Sequence, residues 1–132
     1  MALMSIAKGS SKITETIFEN RMNHVELLNQ MGSNITVKDN IAHINGVKKL
    51  EGTTLVGLDL RSSAALIIAA LTSKSISYVY GLEHLDRGYE NFELKLSQLG
   101  VQIKRETSKK VIKEAKYDTS NLKKAELPME AA

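Results

Sequence analysis

The 132-residue sequence has no cysteine, no tryptophan and a single proline, Pro128. Without cysteine it can hold no disulfide framework, no thiolate zinc site and no cysteine nucleophile of its own. Long apolar runs are also missing. Nothing approaches the roughly 18–20 apolar residues of a bilayer-spanning helix, and the start MALMSIAKGSSK has too short an apolar stretch for a secretory signal. These absences give the expectation of a soluble, cytoplasmic chain with no membrane partner. A glycine-rich phosphate loop is absent too, since GSSK at 9–12 has neither P-loop spacing nor a preceding strand. His24, His43 and His84 are too scattered to suggest a metal site. What is present, 42% hydrophobic and 25% charged residues, suffices for one compact domain and excludes disorder across the whole chain.

The net charge of +3 resembles that of a nucleic-acid binder until its location is considered. Much of the excess lies in 107–132, a Lys-rich, aromatic-poor segment read as a disordered tail following a folded body at 1–106. Residues 109–116 could instead form a short amphipathic helix with Val111, Ile112 and Ala115 inward. Tyr78, Tyr80 and Tyr89 lack interleaved basic residues and suit a strand face better than a base-stacking platform, so no nucleic-acid partner is expected.

The body alternates strand and helix signals. Residues 12–18 (KITETIF) alternate polar and β-branched or apolar residues, a half-buried strand. Residues 23–31 (NHVELLNQM) predict a helix stopped by Gly32. Residues 35–37 and 41–44 flank Lys38-Asp39-Asn40 as a hairpin, and Asn45-Gly46 and Glu51-Gly52 mark turns. A strand is predicted at 53–58. Asp59 then stands at an N-cap position before 61–73 (RSSAALIIAALTS), apolar almost all round and read as a buried helix. Strands at 75–80 and 101–105 bracket an amphipathic helix at 90–99, closed by Gly100. Setting Gly32 against Gly100 also aligns Leu28 with Leu96, Gln30 with Gln98, Met31 with Leu99 and Ile35 with Ile103, a repeat with a period of 68 residues.

Charged clusters just beyond strands are where a rigid scaffold can aim a loop. Three qualify: Glu19-Asn20-Arg21, Asp59-Leu60-Arg61 and Asp86-Arg87-Gly88-Tyr89-Glu90. Arginine offers a planar fork suited to phosphate or carboxylate, Arg61 would sit in a helix's first turn whose amides favour anions, and Asp59 and Asp86 could orient the guanidinium beside each. The same residues also admit a structural reading, with Asp59 an ordinary N-cap and the pairs surface ion pairs worth about 0–1 kcal/mol.

At these clusters the text ITETIFENR (13–21), DLRSSAALIIAAL (59–71) and HLDRGYENFELKLSQLGVQI (84–103) resembles the C-terminal part of the UDP-N-acetylglucosamine 1-carboxyvinyltransferases, of the enolpyruvyl transferase family. The resemblance covers residues 2–106. It implies an α/β fold, part of an inverted α/β barrel with helices inside, holding about one and a half of the family's βαβαββ-type units. It implies transfer of enolpyruvyl from phosphoenolpyruvate to the 3′-hydroxyl of UDP-N-acetylglucosamine, through a tetrahedral intermediate and without metal or organic cofactor. By position, Ile17 matches the residue that contacts UDP-N-acetylglucosamine, in the loop carrying Glu19 and Arg21. Asp59 and Arg61 match the cleft pair of the family's DLR motif, and Arg87 the arginine that binds phosphoenolpyruvate.

Most of the family chain has no counterpart here, including the domain with its lysine and asparagine pair and the mobile loop with its acid. The carboxylate that would precede residue 2 is absent, so Met1 falls inside a family helix, and the Lys-rich tail is expected to have no counterpart in the family. The chain is therefore expected to be inactive alone and to need a complementing N-terminal chain. The alternatives are a non-catalytic anion or nucleotide-sugar binding module and an interaction protein acting through its basic tail.

Overall fold

The hairpin of β2 (Asn34–Lys38) and β3 (Ile41–Asn45) anchors the N-terminal half. Asp39 turns it at φ 55, a left-handed conformation that aspartate tolerates. Strand β1 (Ser10–Thr14) adds to the other edge of β3, giving an antiparallel sheet in the order β1-β3-β2 with Ser10 opposite Asn45 and Thr14 opposite Ile41. The computed structural model describes residues 1–106, and the segment from 107 on, with the stretch 109–116, lies outside the described residues. One face of the sheet buries Ile35, Ala42 and Ile44 against α1 (Ala2–Ile6), capped by Met1, and α2 (Val25–Gln30).

Strand β1 stops at Thr14, four residues before the sequence pattern does. The Glu15 carboxylate accepts hydrogen bonds from the amides of Ile17 (2.8 Å) and Phe18 (3.2 Å), which turns the chain out of the sheet and leaves Ile17 76% exposed.

Helix α3 (Leu60–Ala70) starts at a full capping box, with Asp59 accepting from the amides of Arg61 and Ser62 and the Ser62 hydroxyl accepting from the Asp59 amide. It contributes to two apolar clusters. Leu66 and Ala69 join the main core of α1, α2, the antiparallel sheet and β4 (Thr54–Val56), while Ala64 and Ile67 meet Leu85 of α4 (Leu82–Asp86) in a smaller one. Its burial is less complete than the apolar sequence implies, for Ile68 is exposed. The helix also ends before residue 73, where the hydroxyls of Thr72 and Ser73 donate to the carbonyls of Ala69 and Ala70. The connection through α3 makes β4 and β5 (Tyr78–Tyr80) parallel neighbours, in register from Thr54 opposite Tyr78 to Val56 opposite Tyr80.

The repeat holds at the level of hydrogen bonds. After α2, Gly32 takes φ 87, its amide donates to Asn29 O and the amide of Ser33 to Leu28 O. After α5 (Phe92–Gln98), Gly100 takes φ 86, its amide donates to Ser97 O and that of Val101 to Leu96 O, the same left-handed helix ending. In their surroundings the copies diverge. Met31 is wholly buried but its counterpart Leu99 is 80% exposed, and the strand predicted at 101–105 does not form, because no strand among the described residues pairs with it. The Asn29 side chain ties α2 to β2, donating to Ile35 O (2.8 Å) and accepting from Ile35 N (3.0 Å), whereas Ser97 only bonds back to Leu94 O. Replacing Asn29 with alanine is expected to cost about 1–3 kcal/mol by orphaning those groups, read as a fall in thermal midpoint that Ser97→Ala does not produce.

Between β5 and the Asp86-Arg87 cluster the sequence reading has only a strand end, but the structure inserts α4. Gly81, at φ 77, opens it, so Arg87 stands at the C-terminus of a short helix and not beyond a strand.

Candidate functional site

A cleft of ≈ 770 Å³ lies between the loop after β1 and the start of α3, lined by Ile17, Glu19, Arg21, His24, Asp59 and Arg61 among others. Five sequence-predicted residues, Ile17, Glu19, Arg21, Asp59 and Arg61, thus meet around one space although more than 35 positions separate Ile17 from Asp59. Arg21 is fixed from within: its guanidinium lies 3.9 Å from the centroid of the Phe18 ring, and Nε is 3.8 Å from Glu15 Oε2. Glu15 is held below its ordinary pKa mainly by the hydrogen bond from the Ile17 amide. Glu19 is exposed at the rim.

Asp59 behaves as the structural reading expects. Burial pushes its pKa up, but the hydrogen bonds from Ser62, Arg61 and Asn23 (Nδ2 to Oδ2, 3.5 Å) outweigh that and leave it low, so the cap is charged. Two sequence expectations are corrected as a result. Asp59 binds the backbone amide of Arg61, not its guanidinium, and the first-turn amides that would favour an external anion are already taken by this carboxylate. Attraction for an anion therefore falls to the Arg61 side chain, which is exposed and forms no ion pair among the described residues.

Arg87 does not line this cleft, though its turn lies beside it. A Cβ placed on Gly88 would come 2.9 Å from Leu60 Cδ2, so the residue after Arg87 abuts the residue before Arg61. The Arg87 side chain is exposed and likewise forms no ion pair among the described residues. Asp86 was expected to orient it, but instead pairs with Arg105, whose guanidinium reaches Asp86 Oδ1 at 2.8 Å and Glu93 Oε1 at 2.8 Å. Sequence reasoning missed Arg105 because its partners lie 19 and 12 positions away, outside any local motif.

His24 lines the cleft half-buried. Burial lowers its pKa, the N-terminal ammonium adds to this, and Asp59 and a hydrogen bond to the Arg21 backbone only partly oppose it. The unfolded chain then takes up a proton more readily than the folded one. This contribution is full above the ordinary value of 6.5 and declines as pH falls from there through the lowered folded value. A thermal midpoint that drops below pH 6.5, with the drop reduced in His24→Gln, is the expected outcome.

The sequence profile of the family EPSP synthase (3-phosphoshikimate 1-carboxyvinyltransferase) matches residues 1–96. The chain belongs to this family. Among relatives of this carboxyvinyltransferase family, the UDP-N-acetylglucosamine 1-carboxyvinyltransferase of Prochlorococcus marinus subsp. pastoris is 77% identical over 127 residues, covering 96% of this chain and 28% of that protein. The protein of the same name from Synechocystis sp. is 50% identical over 105 residues, 80% of this chain and 24% of that one. The solved enolpyruvyl transferase NikO from Streptomyces tendae superposes with a TM-score of 0.71 at 30% identity, over 78% of this chain and 24% of its own. EPSP synthase from Acinetobacter baumannii shares the fold, with a TM-score of 0.63 at 19% identity over 80% of this chain and 25% of its own. The described residues thus form part of an enolpyruvyl transferase fold, and the chain spans about a quarter of the length of the relatives it matches. An alignment of 127 residues necessarily reaches past residue 106, so the Lys-rich segment, contrary to expectation, has a counterpart in the Prochlorococcus marinus subsp. pastoris protein.

Proposed function

We propose that this chain forms one wall of the substrate cleft of a UDP-N-acetylglucosamine 1-carboxyvinyltransferase. Arg87 and Arg61 act as the cations for phosphoenolpyruvate and its departing phosphate. Ile17, Glu19 and Arg21 belong to the loop that contacts UDP-N-acetylglucosamine, and Asp59 holds the start of α3 and with it Arg61. One observation carries this reading. Of the four arginines in the sequence, Arg21 and Arg105 are occupied by internal partners, while Arg61 and Arg87, whose turns meet at the Leu60–Gly88 contact, form no ion pair among the described residues. Two exposed guanidinium groups carried by adjoining turns suit a doubly charged substrate that sheds phosphate.

In the family reaction the enolpyruvyl group passes to the sugar 3′-hydroxyl by addition and elimination, a cytoplasmic step in the supply of peptidoglycan precursors and so of cell-wall growth, shape and division. The acid, the base and cleft closure come from parts of the family chain beyond this one, so the chain alone binds but does not turn over. Titration of the 132-residue chain with phosphoenolpyruvate tests the reading. Saturable binding lost in Arg87→Ala supports it. Binding of polyanions that survives Arg87→Ala and disappears on removal of 107–132 supports interaction through the basic tail instead.

A further inference from the structure

The corner between α4 and α5 is held on its apolar side by Leu85, against which Leu82, Phe92, Leu96 and Ile103 pack, and by the Tyr89–Phe92 ring pair at 5.1 Å. The two helices have five and seven residues, too short to be stable by themselves, and the link between them includes Asn91 in a left-handed conformation at φ 48. Residues 101–106 lie beside it without regular secondary structure. Across these pieces the Arg105 guanidinium makes four hydrogen bonds. Nε and Nη2 donate to Glu93 Oε1 and Oε2 at 2.8 and 3.0 Å, and Nη1 and Nη2 donate to Asp86 Oδ2 and Oδ1 at 3.0 and 2.8 Å. Both carboxylates are gripped in bidentate fashion by one planar group. Asp86 is the last residue of α4 and Glu93 lies in the first turn of α5, so the clamp closes around the link that begins with Arg87.

We propose that Arg105 is a positioning residue for Arg87, fixing the α4–α5 corner so that the Arg87 guanidinium is held ready for the phosphoryl group of phosphoenolpyruvate. The inference rests on the reading of Arg87 given above and adds to it the residue that aims it. Arg105 lowers the pKa of both Asp86 and Glu93, so the clamp stays charged throughout the neutral range and loosens only in acid. The three side chains are partly exposed, with 29% of Arg105, 48% of Asp86 and 30% of Glu93 accessible. Solvent screening tempers the attraction at this exposure while the paired bidentate geometry keeps the fit, so the clamp acts first on the local order of the corner.

The test is nitrogen-15 relaxation on the 132-residue chain, alongside titrations with phosphoenolpyruvate and UDP-N-acetylglucosamine. In Arg105→Gln, backbone order parameters at 86–91 are expected to fall from about 0.85 to below about 0.6, with those in α3 unchanged. Phosphoenolpyruvate should bind about 10-fold more weakly while UDP-N-acetylglucosamine binding stays the same. Arg105→Lys should not rescue, because an ammonium cannot fork to two carboxylates. If Arg105→Gln fails to fold, Glu93→Gln opens one half of the clamp and should give an intermediate loss. Order parameters at 86–91 that do not change overturn the inference, as does loosening that leaves Arg87-dependent binding intact. Phosphoenolpyruvate binding indifferent to Arg87→Ala overturns the underlying reading of Arg87, and the order parameters still decide whether Arg105 fixes the corner.

Discussion

Gly81→Ala is expected to destabilise the chain by roughly 2–5 kcal/mol, the sum of a left-handed backbone penalty and overpacking against atoms that cannot yield. Gly81 has φ 77, and a Cβ there would lie 2.4 Å from the carbonyl oxygen of Gly57 and 3.3 Å from its carbonyl carbon and amide nitrogen. Gly57 cannot retreat, since its own α-carbon faces Ser63 so closely that a Cβ would come 2.0 Å from Ser63 Oγ, and its amide donates to Tyr80 O at 2.9 Å. The ends of β4 and β5 and the first turn of α3 are therefore stacked backbone on backbone, and α4 with Arg87 hangs from that stack. Thermal melts should show the midpoint falling by roughly 10 °C or more. Gly32→Ala supplies the control: its φ of 87 carries the same strain, but nothing stands within 4 Å of the added Cβ. Equal costs at the two positions would contradict the close approach.

Arg87→Ala is the second large effect. Together with a chain supplying the rest of the family fold, it should lower turnover roughly 10²–10³-fold, as removal of one preorganised charge-stabilising donor commonly does. Its effect on stability should stay within about 0.5 kcal/mol, because the side chain is exposed and forms no ion pair among the described residues. A loss of turnover matched by a loss of stability would mean that Arg87 serves the fold. Arg105→Gln should act in the same direction with a smaller loss.

Much of this was legible in the sequence where the signal is local. The hairpin around Asp39, the cap at Asp59 and both glycine-closed helices follow from neighbouring residues, and the repeat survives down to matching hydrogen bonds at Gly32 and Gly100. What failed depended on distant partners. Residues 101–105 have a strand's alternation but no strand to pair with among the described residues. The Glu15 side chain ended β1 by capturing amides ahead of it, which no periodicity reveals. Asp86 was assigned to its neighbour Arg87 when the fold gives it to Arg105, 19 positions away. At the site, motif spacing found residues that do gather around the cleft at the start of α3, whereas Arg87's place beside it became visible only through the Gly88–Leu60 contact.

Phosphate release from phosphoenolpyruvate and UDP-N-acetylglucosamine, measured with this chain alone and then with a chain comprising the N-terminal remainder of the family fold, tests the central claim most directly. The expected result is no release from the chain alone and release from the mixture, abolished by Arg87→Ala. No release from a mixture in which the second chain is shown to be folded, or release indifferent to Arg87→Ala, would contradict the assignment of this chain as the phosphate-binding wall of the cleft.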